Sequence, residues 1–411
     1  QVLSSAASDV YKRQPNGEHN AQERLRITNA GDVGIGGIDP SYEFHVKGAG
    51  TVAYFEGTGG NSFIGFEDAD DSTIAFIGVD GGNLKFQTSG GGYSDKLAIS
   101  PAGTATFSED AVINGVTVGK GTGTGSHNTT VGSEALHNNT SGAYNTAIGR
   151  TALKNNSTGG NNVAIGFQAM TTNTTGNVNV AIGMDALRAN TGGHNNVAVG
   201  YRCMDANTTG GENAACGYRA LSDNTTGSNN SAFGYDALEK NTTGNNNSGF
   251  GLYTLLQNTT GVYNSAIGRS ALQNNTTGAY QCGFGPQSLF TNTTGGQNTA
   301  VGFKAMYSNT VGNYNCAIGF QCLHNSSTGD RMVAIGYQAG YSNTTAGYST
   351  SIGMYAAYYN TTGASNTALA YTALHKNTTG GYNTALGYQS LYKNTTASYN
   401  TACGMNAGFT T

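Results

Sequence analysis

Three histidines are the first candidates for chemistry in this sequence, because imidazole is a frequent metal ligand and acid–base group. His137, His324 and His375 are separated by 187 and 51 residues, and both separations are multiples of 17. The three therefore share one position of a 17-residue repeat, 11 and 3 repeats apart. Side chains that far apart along stacked repeats do not share a metal ion, so we expect solvated surface histidines.

Carboxylates cluster once, at Glu67, Asp68, Asp70 and Asp71. A calcium loop also needs a glycine at its sharp turn and a terminal bidentate glutamate, and both are missing. The repeats lack the aspartate of calcium-binding nonapeptides, and most of the 19 charged residues after residue 127 stand at variable repeat positions. We therefore expect no catalytic residue, no metal site and no cofactor, and the chain is predicted not to be an enzyme.

The cysteines show no metal or redox spacing, since none of the six forms a C-x-x-C pair. Cys282 and Cys316 share the second repeat position two repeats apart, and a disulfide needs Cα atoms within about 7 Å, so no disulfide is expected. The other four stand at Ala-type or Ile-type positions and are interpreted as small hydrophobic residues: Cys203, Cys322, Cys216 and Cys403.

Two kinds of surface group recur with the repeat. Many N-T-T tripeptides match the N-glycosylation pattern, although structural turns explain them more simply. The candidate sites are Asn173, Asn207, Asn224, Asn292 and Asn377. Tyrosines recur at the last repeat position, where their rings either stack on sugars of a cell-surface glycan or stack on one another along the rod. The candidate glycan-facing residues are Tyr263, Tyr314, Tyr348 and Tyr382.

The repeat that carries these residues runs from Asn128 to Thr411 without insertion or deletion, with the consensus N-T-A-I-G-Y-x-A-L-x-x-N-T-T-G-x-x. Its positions are numbered 1 to 17 from the first Asn. Position 5 is Gly in 16 of 17 copies, with Ala370 as the exception. Seventeen residues are too few for a strand–helix–strand unit. They predict one coil of a parallel β-solenoid or β-roll, and 17 coils about 4.8 Å apart make a rod of roughly 80 Å.

Each repeat position predicts a role. Position 4 is apolar in every copy and is expected in the interior with the Leu or Met of position 9. The A-L segment is expected as a second strand or a single helical turn. Asn at positions 1 and 12 is expected to form amide ladders, and Gly at position 15 to supply a positive φ. The resulting structural residues of the repeat core are Ile148, Gly149, Leu153, Ile165, Gly166, Ile182, Gly183 and Leu187.

The small residues at positions 3 and 5 share the opposite side of the same strand. A row of Ala and Gly along a rod permits close approach by another backbone. We therefore expect a second or third copy of the chain to pack against this side, as in a homotrimer.

The segment before the repeats predicts a small all-β module at residues 22–110. Apolar residues alternate around Leu25 and over Tyr42–Lys47, and further strands are predicted at Phe63–Phe66, Ile74–Val79, Leu84–Thr88 and Leu97–Ser100. Gly-Gly pairs at 59–60, 81–82 and 90–91 separate them. A Gly-rich connector follows at 111–127. Residues 1–21 are expected to be a non-native or disordered leader, because Ser4–Gln14 resembles translated adapter sequence of metagenomic assemblies; we interpret the chain as a fragment.

Bulk composition limits the function classes. The chain has 63 Gly, 10% charged residues and a net charge of −4, which favours neither nucleic acid nor an anionic membrane. No apolar run approaches the ~20 residues that a membrane helix needs.

Three features together resemble bacteriophage tail fibres and related fibrous proteins of phage and environmental bacteria: Arg24–Val46 (RLRITNAGDVGIGGIDPSYEFHV), Val112–Gly119 (VINGVTVG) and the N-T-A-I-G repeats. The A-I-G-x-x-A core also resembles the head of trimeric autotransporter adhesins, which are parallel β-rolls with a shorter repeat. The resemblance implies a homotrimer, and fibres of the first family often end in a cleaved intramolecular chaperone.

The resulting hypothesis is a structural fibre or stalk of an extracellular or virion appendage that is involved in host attachment. Its expected partners are other copies of the same chain and a cell-surface glycan or receptor. The alternative is a bacterial trimeric surface adhesin. An ice-binding solenoid would need a flat, exposed Thr face, whereas the Thr pair leads into a Gly turn. A polysaccharide depolymerase would need an acidic pair, which the repeats lack.

Overall fold

The computed structural model describes residues 25–28, 32–35, 44–46, 61–67, 74–88, 94–102, 105–107, 111–113 and 116–409. The chain divides into two compact units, Gln1–Glu109 and Asp110–Thr411. Every helix or strand assigned in the described ranges is a β-strand, which confirms the all-β prediction. The predicted leader at 1–21 and three of the clustered carboxylates, Asp68, Asp70 and Asp71, lie outside the described residues.

The first unit contains two small sheets. A three-stranded sheet joins β1 (Leu25–Ile27) antiparallel to β2 (Val33–Ile35) and β2 parallel to β3 (Phe44–Val46). A five-stranded antiparallel meander follows in chain order: β4 (Asn61–Glu67), β5 (Ile74–Asp80), β6 (Asn83–Thr88), β7 (Ser94–Ile99) and β8 (Ala105–Phe107). The predicted strands are confirmed, while β2 and β8 were not predicted. Gly81 and Gly82, at φ 55° and 85°, form the β5–β6 turn.

The second unit is a parallel β-solenoid, as the period predicts. β9 (Ala111–Ile113) pairs antiparallel with β10 (Val116–Gly119), which pairs antiparallel with β11 (Thr129–Val131). Each strand from β11 onward pairs in parallel with the next, so that residues 17 apart are partners, such as Ala147 and Ala164. We call each repeat a rung, from rung 1 at Asn128 to rung 17 at Asn400.

The remaining strands all contain three residues, at positions 2 to 4 of each rung: β12 (Thr146–Ile148), β13 (Val163–Ile165), β14 (Val180–Ile182), β15 (Val197–Val199), β16 (Ala214–Cys216), β17 (Ser231–Phe233), β18 (Ser248–Phe250), β19 (Ser265–Ile267), β20 (Cys282–Phe284), β21 (Thr299–Val301), β22 (Cys316–Ile318), β23 (Val333–Ile335), β24 (Thr350–Ile352), β25 (Thr367–Leu369), β26 (Thr384–Leu386) and β27 (Thr401–Cys403).

The interior of the rod is narrow, and it is filled by position 3 of each strand together with positions 8 and 9. Ala147, Leu153 and Leu187 are fully buried. Position 4 points outward instead: Ile148 and Ile182 are 36% and 38% exposed. The predicted interior placement of position 4 is therefore wrong for these residues, and Ile165 is only half-buried.

The small side of the strand is consequently not a docking surface for another copy. Ala164 and Ala181 are fully buried within the chain's own coil, so the predicted packing of a second chain there is wrong. The physical reason is width, because a 17-residue coil leaves room inside for alanine on the strand and for one leucine from the opposite turn.

The A-L segment lies in a turn, neither a strand nor a helical turn. Non-glycine residues adopt positive φ at position 7, as at Thr151 (59°), and at position 9, as at Leu153 (50°). At position 5, Gly149 has a φ of 129°, and a Cβ there would lie 2.5 Å from the carbonyl oxygen of Gly166. Such contact and such a φ both require glycine.

Position 15 is glycine for a different reason than predicted. Gly176 is not among the residues with positive φ, so the prediction that this position supplies one is wrong. A Cβ on Gly176 would lie 2.4 Å from Asn173 Oδ1 and 2.5 Å from the carbonyl oxygen of Gly193. At Gly176, close packing against the asparagine ladder therefore excludes a side chain, although Ala346 and Ala397 stand at position 15 in two other rungs.

The predicted asparagine ladders are confirmed at both positions. At position 12, Asn156 Nδ2 donates to Asn139 Oδ1 at 2.8 Å and to the carbonyl oxygen of Gly159 at 2.9 Å. At position 1, the backbone N–H of Asn162 donates to Asn145 Oδ1 at 3.0 Å. These buried amides are satisfied by identical groups one rung away, which fixes the register of every coil.

Candidate functional site

The outward side of the solenoid strands forms a continuous uncharged strip, which we call the sheet face and define as positions 2 and 4 of all 17 rungs. Position 4 is apolar in every rung, whereas position 2 is Ser or Thr in ten of them. None of these residues is charged. Ile267 is 49% exposed, and Phe233 stacks on Phe250 with ring centroids 5.1 Å apart. An exposed apolar row of this length, formed by position 4, is typical of an interaction surface.

A second surface feature is a row of stacked rings at position 10, which we call the aromatic ladder. It continues through eight consecutive rungs, with neighbouring centroids 5.1 to 5.5 Å apart and nearly parallel planes. This row was not predicted from the sequence, although the 17-residue spacing of its rings is visible there. Its members are Phe290, Tyr307, His324, Tyr341, Tyr358, His375, Tyr392 and Phe409.

An open cleft of about 370 Å³ lies beside the C-terminal part of this ladder, and we call it the tyrosine cleft. Ladder residues Tyr358, His375 and Tyr392 line it together with Tyr355 and Tyr359. The last two rings stand at 78° to 82° to the rings of Tyr358 and His375. The cleft is therefore bounded by rings in two nearly perpendicular orientations.

His375 is held in one tautomer at this cleft. Its Nδ1 lies 3.1 Å from the carbonyl oxygen of Tyr355, and a carbonyl only accepts, so Nδ1 carries the proton. Burial lowers the pKa of His375, an effect that this hydrogen bond partly opposes and the nearby Lys376 reinforces. The neutral ring consequently presents Nε2 as a hydrogen-bond acceptor.

Farther toward the N-terminus the same side of the rod is charged. Asp205 is nearly buried and accepts hydrogen bonds from Arg202 Nε at 2.8 Å and from Ser222 Oγ at 3.0 Å. Arg219 pairs with the buried carboxylate of Glu239. Because each carboxylate is paired with an arginine, these groups serve the rod's own structure rather than a ligand.

The three histidines at position 10 lie in one row, as the repeat predicts. Two of them, however, stack within the aromatic ladder and are not simply solvated surface groups. His324 stacks between Tyr307 and Tyr341 at centroid distances of 5.2 and 5.1 Å. Among the described residues, no group of three or more His, Cys, Asp or Glu side chains is placed to hold a metal ion.

The last-position tyrosines form a separate row along another edge. Tyr263 stacks on Tyr280 at 5.1 Å, and the guanidinium of Arg331 lies 5.3 Å from the ring centroids of both Tyr314 and Tyr348. Tyr382 stacks on the ring of the next rung in the same way. The stacking of these rings on their neighbours accords with the interpretation that they stack on one another along the rod, and whether they contact a glycan stays a prediction.

The five candidate glycosylation sites all belong to the position-12 ladder and are fully buried. Asn173 Nδ2, the atom to which a glycan would be joined, donates to Asn156 Oδ1 and to the carbonyl oxygen of Gly176. The folded rod therefore leaves no space for a glycan at Asn173, and the same burial holds for Asn207, Asn224, Asn292 and Asn377.

All six cysteines are free, so no disulfide joins Cys282 to Cys316. Cys203 and Cys322 are buried in the core, and burial raises the pKa of each thiol to about 12. Cys216 and Cys403, in contrast, lie exposed on the sheet face, because their position 4 points outward.

Comparison with known proteins adds no family assignment. No family model matches the chain, and no curated protein is similar to it. In the part of the chain that the structure describes, no helix has the length and apolarity needed to cross a membrane.

Proposed function

We propose that this chain is a non-enzymatic structural rod of an extracellular or virion attachment appendage, assembled as a homotrimer through the sheet face. The observation that carries the proposal is the uncharged sheet face, whose apolar position-4 row runs along all 17 rungs and leaves side chains such as Ile267 half-exposed. A monomeric rod would leave this strip in water.

The dimensions of the sheet face support self-association. Three residues per strand span about 10 Å, and 17 strands about 4.8 Å apart span roughly 80 Å. The strip therefore offers roughly 800 Å² per copy, the area that each partner buries in a standard specific interface. A second copy of the chain is the natural occupant, because its own strip has the same length, rise and lack of charge.

The resemblance to phage tail fibres supports an assembly of three chains and a place in the virion. The bacterial surface adhesin is the alternative within the same architecture, supported by the likeness of the A-I-G-x-x-A core to trimeric adhesin heads. In both settings the rod is a stiff spacer, because its stability accumulates over rung-to-rung contacts.

Light scattering after size exclusion tests the assembly with the full chain. The wild type is expected to give three times the mass of one chain. Ile267→Lys combined with Ile318→Lys places two charges on the sheet face and is expected to give the monomer mass. The control is Thr277→Lys with Thr328→Lys, two exposed sites on another side of the same rungs, which is expected to remain trimeric. A monomeric wild type would overturn the proposed self-association.

A further inference from the structure

The tyrosine cleft contains polar groups that the rod itself leaves unpaired. Thr372 lines the cleft and is only 5% exposed, yet its Oγ1 has no hydrogen-bond partner among the described residues. Thr151 stands at the same repeat position in rung 2, and its Oγ1 donates to the carbonyl oxygen of Arg150 at 2.7 Å. A buried hydroxyl without a partner is costly, so the difference marks Thr372 as a group suited to an external partner.

Further hydrogen-bonding groups surround this hydroxyl. His375 uses only Nδ1 within the chain, which leaves Nε2 as an acceptor. Gln338 donates Nε2 to Gln321 Oε1 at 2.6 Å and keeps its own Oε1 as an acceptor. The side chain of Gln389 also lines the cleft. The cleft thus combines donors and acceptors with the rings of Tyr355 and Tyr359.

This combination matches the chemistry of a sugar. A pyranose presents C–H groups that pack on aromatic faces, and hydroxyls that both donate and accept hydrogen bonds. A purely apolar ligand would leave Thr372 unpaired, while a flat aromatic ligand would leave the amides of the cleft unused. Rings that supply a large, rigid contact area next to a few polar groups are the usual composition of such a binding site.

Charge around the cleft selects the kind of sugar. Residues 331–411 include three Lys or Arg residues and no Asp or Glu. The ammonium of Lys376 lies 5.7 Å from the ring centroid of Tyr392, which lines the cleft, and that of Lys393 lies 5.1 Å from the ring of Phe409, the next ladder residue. Two ammonium groups without a competing carboxylate favour an anionic ligand.

We propose that the tyrosine cleft binds an acidic polysaccharide, with a sugar ring packed against Tyr355 and Tyr359, a hydroxyl paired with Thr372, and a carboxylate near Lys376. The inference rests on the proposed attachment role, for which it names the ligand class, but it does not require self-association.

Hexasaccharides of galacturonate, mannuronate and hyaluronan, titrated into the full chain by isothermal titration calorimetry, test the proposal, with neutral cellohexaose for comparison. We expect at least one acidic hexasaccharide to bind at least tenfold more tightly than cellohexaose. Its binding should weaken as the salt concentration is raised. If none of the acidic hexasaccharides bound, the proposal would be overturned. If cellohexaose bound equally well, the acidic assignment would be overturned.

A double variant locates the site. Tyr355→Gln with Tyr359→Asn introduces residues that already occupy the same repeat positions at Gln338 and Asn325, so the coil is expected to fold, as circular dichroism would verify. It should lose at least tenfold in affinity. The control Tyr253→Gln alters the same repeat position six rungs earlier and should bind like wild type. Unchanged binding by the double variant would contradict the location.

The two proposals fail separately. A monomeric chain that binds an acidic hexasaccharide would overturn the trimer and retain the cleft. A trimer that binds no acidic hexasaccharide would do the reverse.

Discussion

Asn309 Oδ1 and Ser326 Oγ occupy neighbouring rungs of the position-12 ladder, and both are buried without a hydrogen-bond partner among the described residues. Everywhere from rung 2 to rung 11 the amide of one rung donates to the amide oxygen before it, as Asn309 Nδ2 does to Asn292 Oδ1 at 2.7 Å. The serine is too short to continue this pattern. On the following rung, Asn343 Oδ1 is also unpaired, so the ladder is interrupted across three rungs.

Ser326→Asn is expected to stabilise the rod by about 1 to 2 kcal/mol, because it supplies the missing donor to a buried acceptor. Denaturant unfolding followed by circular dichroism measures the change. Ser342→Asn, at the more exposed position 11 of the next rung, is the matched control and should alter the free energy of unfolding by less than about 0.5 kcal/mol. Equal effects from both variants would mean that the ladder gap is not the cause.

Ala370→Gly is a second stabilising change. Ala370 is the one residue at position 5 that is not glycine, and its φ of 119° lies in a region that strains any side chain. Removing that strain is expected to raise the stability by roughly 1 kcal/mol or more. The opposite substitution one rung earlier, Gly353→Ala, should destabilise, because its Cβ would lie 2.6 Å from the carbonyl carbon of Ala370. Thermal unfolding measures both variants, and the melting temperature should rise for Ala370→Gly and fall for Gly353→Ala.

The sequence predicts the solenoid because its period is unbroken, and it predicts the ladders because asparagine recurs where only a neighbouring rung can satisfy it. It does not predict which side of the strand faces inward. Because side chains alternate along a strand, Thr146 and Ile148 lie on one side and Ala147 on the other. The width of the coil decides which of these sides faces inward. A coil of 17 residues has room inside for Ala147 and Leu153, so the larger isoleucine lies outside.

The tyrosine cleft is a different case, since no periodic signal specifies it. Tyr355 and Tyr359 stand at positions 7 and 11, where most rungs carry other residues. They form a cleft only together with two further rings. Tyr358 stands between them in the sequence, and His375 lies on the next rung. Only the folded coil shows that these four rings bound one cleft with Thr372.

Cysteine reactivity reports on the inward and outward sides of the rod. The pKa of Cys203 is raised to about 12 by burial, so at pH 8 only about one thiol in ten thousand is ionised. Cys216, on the exposed sheet face, is expected to react with a disulfide reagent in the monomeric Ile267→Lys, Ile318→Lys variant. The trimer proposed for the wild type should protect it. Mass spectrometry after timed labelling identifies each site, and rapid labelling of Cys203 in the folded chain would contradict the core assignment.

Stability is expected to fall at acidic pH through His375. Its ring stacks between Tyr358 and Tyr392 at centroid distances of 5.5 and 5.2 Å, and burial lowers its pKa below the ordinary value of about 6.5. The unfolded chain therefore binds the proton more readily than the folded one. The stabilising contribution of the neutral ring is complete above about pH 6.5 and is lost as the pH falls from there toward the folded-state pKa.

His375→Tyr removes this titration and keeps a ring in the ladder, since tyrosine already occupies the same position in both neighbouring rungs. The difference in melting temperature between pH 7.5 and pH 5 should be smaller in the variant than in the wild type. The carboxylates, Lys376 and the other histidines are the same in both proteins, so their contributions cancel in this comparison. An identical pH dependence would show that protonation of His375 does not weaken the folded ladder.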